Sequence, residues 1–421
     1  MNCFLEPFVH RMNNLSSQGF SWEDAHGVSH VDHVFPGPCC VDTVARGMVI
    51  NMHQFSGRNG CAWCKHEAEV VERSNGHARV YSTAGPKNAV MTHDLFFKDA
   101  EVAERTGQVT CGIEGPSILF MLSCFTFPSG FVVDYMHAVC SGFVRHTACM
   151  WISHKSAFLY SLGGKIDEID CKLQRMQPLC EMPRLPRSMP QRKYWKSSEW
   201  RNWLFFFSPF VLDGLLPAPF LQNWLKFVHV MRFLAASANP VDQLLLVKTL
   251  MFSFLKEYEK LYGKENMTYN AYILLHLADC VKNWGSLWNF SCYPFENMNG
   301  QLVKFVNGIR HAHLQIVENY CILTSLPRLR SLHVSNSGAL VLLKSFTEGY
   351  KLRKHTSKVS EVFLHGKGRP CIEGVSFKKA TIGIFRFYIA SCDKSRRVNS
   401  YVEVDGIFGK LCDIILMCSS G

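Results

Sequence analysis

No stretch of about 18 apolar residues occurs, which is roughly what a helix needs to cross a bilayer. The nearest approach, Trp203 to Leu216, is broken by Pro209 and Asp213. A membrane partner is therefore not expected. The opening residues, MNCFLEPFVHRMNNL, lack the charged segment and apolar core of a secretory leader. Internal repeats and low-complexity tracts are missing as well. Acidic residues are the scarcer charge: 34 Asp+Glu stand against 45 Lys+Arg, a formal net of +11. The surplus is uneven. From Arg328 to Gly421 there are 16 Lys+Arg and 7 Asp+Glu, a net of +9, so the rest is nearly neutral. Such a field suits a polyanion such as nucleic acid, or is simply the surface of a soluble basic domain.

What is present is a chain of 421 residues, 48% hydrophobic, enough for two or three domains and a sizeable core. The 18 cysteines do not form a secreted disulfide pattern. Cys124, Cys140 and Cys149 sit in apolar runs and read as reduced, buried small hydrophobes.

Along the chain, residues 4–16 have a weak helical pattern and 28–35 alternate like a strand stopped by Pro36-Gly37-Pro38. Residues 41–55 fit a strand running into a helix or turn. The polar stretch 65–110 reads as loop-rich, and 131–161 as a mostly apolar helix. Four prolines between 178 and 193 exclude a regular helix there; Arg184, Arg187, Arg192 and Lys193 in this tether are open to phosphate contact. Residues 197–327 read as successive helices. One is N-capped by Asn239 with Pro240 at its first position and closed by Gly263. Residues 371–417 read as four or five strands.

Cys61-Ala-Trp-Cys64 is the chain's one CxxC. Two thiolates at this spacing hold half of a tetrahedral Zn²⁺ site and need two more ligands. Asp134-Tyr135-Met136-His137 offers a second half-site, with Asp134 and His137 on one face of a helical turn. A redox dithiol lacks the surrounding βαβ pattern, and two packed thiols are the plainer alternative. Asp42 follows a strand-like segment and Glu296 opens a helix. Such carboxylates bind Mg²⁺ if the fold joins them; otherwise they are a turn residue and a helix-dipole partner.

Several segments, in order, resemble CACTA/EnSpm-type DNA transposases. They include CCVDTVARGMVINMHQFSGRNGCAWC (39–64), GPSILF (115–120), GFVVDYMHAVCSGFVR (130–145), WKSSEWRNWLFF (195–206), ENMTYNAYILLHLADCVKNWG (265–285), LWNFSCYPFENMNGQLVKFVNG (287–308) and SYVEVDGIFGKLCDII (400–415). The resemblance covers about residues 1–415. It implies an RNase H-like core whose three acids hold metal for DNA strand cleavage and transfer. Asp42 matches the second acid and Glu296 the third; Cys61 and Cys64 match a CxxC, and Asp134 and His137 a [C/D]xxH element. The family's first acid lies upstream of the helix that Phe4 to Leu15 matches, so an N-terminally truncated, inactive enzyme is expected. Asp32 is not equivalent to that acid. The family often has His after the Asn matching Asn270; here Ala271-Tyr272 follows, and His276 reads as a helix-face residue rather than a ligand.

The expected fold class is α+β. Residues 1–60 would be a remnant of the RNase H-like core, and 61–110 a CxxC loop region with zinc. A mainly helical insertion would span 111–285, core helices with the third acid 286–327, and a basic β-rich domain 328–421. The expected partner is DNA, transposon terminal repeats by resemblance, with a homo-oligomer left open and a nuclear location inferred from the substrate. Lys378, Lys379, Arg386, Lys394, Arg396 and Arg397 are the expected nucleic-acid contacts. Expected cofactors are structural Zn²⁺, and Mg²⁺ if the acidic site is completed. Competing readings are a domesticated DNA- or protein-binding module and an unrelated zinc-stabilised structural protein.

Overall fold

Helix α1 (Asn2–Ser17) opens the chain in the computed structural model. The structure describes residues 1–331, except 25, 74–75, 85–88, 154–157, 177, 179–181 and 183, and the strands between 356 and 417. Its architecture is mixed and mostly helical, with small antiparallel sheets. Two compact units are formed: Met1–Asp170 with Met189–Pro294, and Cys171–Ser188 with Phe295–Gly421. Among the described residues no helix is long and apolar enough to cross a membrane.

In the first unit, strands β1 (Phe20–Glu23) and β2 (Ser29–Asp32) form a hairpin with Phe20 opposite Asp32. Gly19 enters it at φ +72, where a Cβ would stand 2.7 Å from the Asp32 carbonyl oxygen, so only glycine fits. Helix α2 (Thr43–Ile50) is N-capped by Asp42 and ends at Asn51 in the left-handed region, φ 62. Strands β3 (Glu69–Arg73) and β4 (Gly76–Val80) make a second hairpin. Helix α3 (His93–Thr106) follows, capped by Thr92 and closed by Gly107. The expectation of loops over 65–110 is corrected here. Phe96, Ala100 and Ala103 recur at helical spacing and are buried, but two of the three are small, so the apolar stripe is faint beside the polar face.

An isolated parallel bridge joins Cys39 to Phe131, with the Cys39 amide donating to the Gly130 carbonyl at 2.7 Å. This brings the segment before α2 alongside the one before residue 135. From there the chain does not run as one α-helix. Tyr135–Val144 is π-helical and passes into α4 (Arg145–Ser153). Gly142 permits the close packing of this segment, since a Cβ there would meet Asn270 Nδ2 at 2.6 Å.

Helices α5 (Ile166–Arg175), α6 (Ser197–Asn202), α7 (Ser208–Val211), α8 (Ala218–Leu234), α9 (Val241–Tyr262), α10 (Tyr269–Tyr272) and α11 (Leu277–Trp284) follow. Pro240, not Asn239, is the N-cap of α9; the Asn239 amide instead donates to the Phe233 carbonyl at 2.6 Å. Gly263 closes α9 at φ 88. The core lies where the π-helical segment meets α8 and α9. Phe143, fully buried, has ring centroids 5.0 Å from Phe227 and 5.1 Å from Tyr258. Phe227 stacks on Phe254 at 4.9 Å. Each such buried ring stabilises by about 1.5–3 kcal/mol.

The second unit contains α12 (Tyr293–Lys304) beyond its first two residues, and α13 (Ala312–Ser331). Its strands are β5 (Thr356–Val359), β6 (Val362–His365), β7 (Arg369–Cys371), β8 (Gly374–Phe377), β9 (Lys379–Ile382), β10 (Phe385–Tyr388), β11 (Tyr401–Val404), β12 (Ile407–Lys410) and β13 (Ile414–Met417). They pair as β10-β9-β6-β5, β13-β8-β7 and β11-β12. The β-rich tail thus holds more, shorter strands than the four or five expected.

Candidate metal centre and cavity

The CxxC turn follows the tight passage Asn59-Gly60. A Cβ on Gly60 would lie 2.6 Å from the Tyr81 hydroxyl. The turn is pinned by backbone bonds from Met91 N to Trp63 O at 2.9 Å and from Lys65 N to Ala89 O at 3.1 Å. Both thiols are buried. The Cys61 and Cys64 sulfurs are 3.5 Å apart. His276, the N-cap of α11, places Nε2 3.4 Å from Cys61 Sγ and 3.7 Å from Cys64 Sγ. His276 thus faces both thiols instead of lying on a plain helix face. Its ring stacks on Trp63 at 5.6 Å, and the buried Arg46 guanidinium covers Trp63 at 4.6 Å.

These separations fit zinc. Zn–S bonds of about 2.3 Å and Zn–N bonds of about 2.0–2.1 Å at tetrahedral angles put sulfurs about 3.8 Å apart and sulfur–nitrogen pairs about 3.6 Å apart. The charge state fits at one of the two sulfurs. A hydrogen bond from Cys61, helped by His276 and Tyr272, draws the Cys64 thiol down to about 4, so it is held as thiolate. Burial pushes Cys61 up. Two sulfurs and an imidazole supply three protein donors. Ala271 stands buried where the resemblance would have another His, and the Tyr272 hydroxyl lies 3.1 Å from Cys64 Sγ.

Asp134 and His137 do not join that group. Asp134 instead forms a second one with Cys40 and Cys292, in which Cys40 Sγ lies 3.9 Å from both Asp134 Oδ1 and Cys292 Sγ. The Asp134 carboxylate is already saturated. Oδ1 accepts from the Met136 and Cys292 amides at 3.1 and 2.8 Å; Oδ2 accepts from the His137 amide at 2.8 Å and pairs with His137 Nδ1 at 2.6 Å. A metal would have to displace these bonds. The arrangement works instead as a staple between residue 40, the N-terminus of the π-helical segment and residue 292. Against the upward push of burial, the hydrogen bonds from the His137 ring and from the Cys292 and His137 amides hold Asp134 ionised. Asp134 and Cys292 push His137 up to about 10, so its ring is cationic at neutral pH.

Asp42 is half-buried, and its Oδ1 accepts from the Ala45 amide at 2.6 Å. It also lines a cavity of about 500 Å³ with Thr43, Phe55, Arg79, His137, Tyr269 and Asn270. Asp42 and His137, separated in sequence by α2, α3 and both thiols, thus share one concave space. Asp42 is the one carboxylate among the residues lining it. Mg²⁺ sites in phosphoryl transfer use one or two carboxylates and the substrate phosphate. The cavity meets only the lower end of that requirement. Glu296 lies exposed in the first turn of α12 and belongs to the other unit.

Lys378, Lys394, Arg396 and Arg397 fall outside the described residues. Lys379 opens β9 and Arg386 lies in β10 opposite Thr381; their side chains also fall outside. Sequence reasoning missed Cys40, Cys292 and the ligand position of His276. Cys40 and Cys292 are separated by 252 residues and Cys61 and His276 by 215, so no local spacing could join them. No protein-family model matches the chain, and no curated protein matches it.

Proposed function

We propose that this chain is a transposase-derived, DNA-binding protein whose cavity at Asp42 and His137 corresponds to a DDE-type phosphoryl-transfer site. The observation that carries the reading is the meeting of these two residues in one cavity. They stand at the second-acid and [C/D]xxH positions of the resemblance. The Arg79 guanidinium and the His137 cation on the cavity wall would attract a phosphodiester, and the Asn270 amide and Thr43 hydroxyl would orient it. Magnesium, when bound, would supply charge neutralisation and an activated water.

The 421 residues match the second and third acids only, and the first unit's described sheets are two-stranded hairpins. The RNase H-like core is therefore part of the proposal. A cavity with a single carboxylate, one of whose oxygens caps α2, is poorly equipped to hold two ions. Strand cleavage by this polypeptide alone is accordingly not expected. Terminal-repeat DNA incubated with the purified full chain and Mg²⁺ or Mn²⁺ should be bound and left intact. Nicked strands would refute inactivity, and failure to bind DNA would refute the reading as a whole.

A second reading, a zinc-stabilised structural protein, draws on the Cys61–Cys64–His276 geometry. It differs by predicting that Arg79→Gln and His137→Gln leave DNA affinity untouched.

A further inference from the structure

A basic and aromatic surface that shares no residue with the cavity lining lies within the same unit. Between Met189 and Arg201 the chain carries four basic residues and one acid, Glu199. Glu199 is buried and its carboxylate accepts from the Lys196 amide at 2.8 Å. Lys193, Lys196 and Arg201 make no ion pair with a carboxylate among the described residues. Two of them lie over aromatic rings instead. Lys193 Nζ is 4.8 Å from the Tyr194 centroid, and Arg201 Cζ is 5.6 Å from Trp288 and 5.5 Å from Tyr293.

Two of the rings are exposed, and Trp288 and Tyr293 are held from behind. Tyr194 is 62% exposed and Trp288 49%. Behind Trp288, Tyr135 packs edge-on at 5.6 Å and Phe205 lies at 6.2 Å. The Tyr293 hydroxyl is fixed 3.0 Å from Ser197 Oγ, one residue from Lys196. Exposed rings, one of them rigidly backed, beside cations that make no ion pair among the described residues match what unstacked bases and their phosphates require. A duplex presents the phosphates but hides its base faces, and an acidic protein segment would use the charges without the ring faces.

We infer that the surface formed by Lys193, Tyr194, Lys196, Arg201, Trp288 and Tyr293 binds single-stranded nucleic acid. This stands whether or not the Asp42 cavity handles DNA, since it uses none of the cavity's residues except through the shared fold.

The test uses the full chain and an oligothymidylate of about 20 nucleotides carrying 5-iodouracil, long enough to span a single-strand site. Photocrosslinked peptides should contain Tyr194 or Trp288. By fluorescence anisotropy, Tyr194→Ala and Trp288→Ala should each weaken binding about 10-fold with an unchanged salt slope. The double variant Lys193→Gln with Lys196→Gln should lower the slope of log affinity against log salt by about 1.4, about 0.7 per phosphate contact. Tyr194 and Lys193 are exposed, so those variants leave the core intact. Crosslinks confined to other segments, or wild-type binding by Tyr194→Ala and the double lysine variant, would overturn the inference. So would a duplex of equal length that binds as tightly and weakens equally in the same variants.

Discussion

Replacing His276 by Ala removes one of the three donors that converge within 3.7 Å of each other at the CxxC turn. The remaining two sulfurs cannot define a tetrahedral site, and the loss acts on stability through metal linkage. A ligand that binds only the folded chain stabilises it by about 2.7 kcal/mol when its free concentration is 100 times its dissociation constant. For domains of a few hundred residues, 1 kcal/mol moves the midpoint by about 2–4 °C. His276→Ala should therefore lower the melting temperature by about 5–10 °C in zinc-containing buffer. It should bring little change after chelation, when the wild type has lost the same term. Elemental analysis should find one zinc per wild-type chain and almost none in the variant. Cobalt substitution should give the visible bands of a tetrahedral thiolate site in the wild type only. Asp134→Asn and Cys292→Ser should keep their zinc, because those groups form the separate staple. A wild-type chain without zinc, or a His276→Ala chain that retains it, would refute the ligand assignment.

The staple has its own signature. Asp134 raises the His137 pKa above its ordinary value, so the stabilisation is complete below about pH 6.5 and is lost as pH rises through about 10. The lowered Asp134 pKa acts oppositely: its contribution is present above pH 3.8 and lost as pH falls through the depressed value. In NMR titrations His137 should stay protonated from pH 6 to 8 in the wild type, and titrate in that range in Asp134→Asn. Phe143→Ala empties a fully buried site between α8 and α9 and should cost about 3–5 kcal/mol in denaturant unfolding. Gly142→Ala, which drives a methyl against Asn270, should cost about 1–3 kcal/mol in the same measurement.

Local pattern carried much of the fold into view. The periodic residues of α8, α9 and α11 and the strand-sized runs of the tail are short-range signals, and those elements formed. Helix α3 escaped because its buried face is made largely of alanines, too weak a stripe against its charged surface. The π-helical segment escaped because its apolar sequence is compatible with several helical windings; close approach to Asn270 needs a tertiary neighbour to be seen. The candidate site divided in the same way. The CxxC and Asp134-x-x-His137 spacings were visible because they are local. Which thiols and imidazoles meet them was set by chain crossings of more than 200 residues, Cys40 against Cys292 and α11 against the CxxC turn. His276 matched no ligand spacing along the chain, and only the fold placed it at the thiols.

The reading as a transposase-derived protein that binds DNA without cutting it is tested most directly by one incubation. End-labelled terminal-repeat DNA is mixed with the purified full chain and Mn²⁺, then resolved in parallel on native and denaturing gels. The account predicts a retarded complex whose strands remain full length, weakened in Arg79→Gln and His137→Gln. Nicked strands that disappear in Asp42→Asn, or no complex at all, would contradict it.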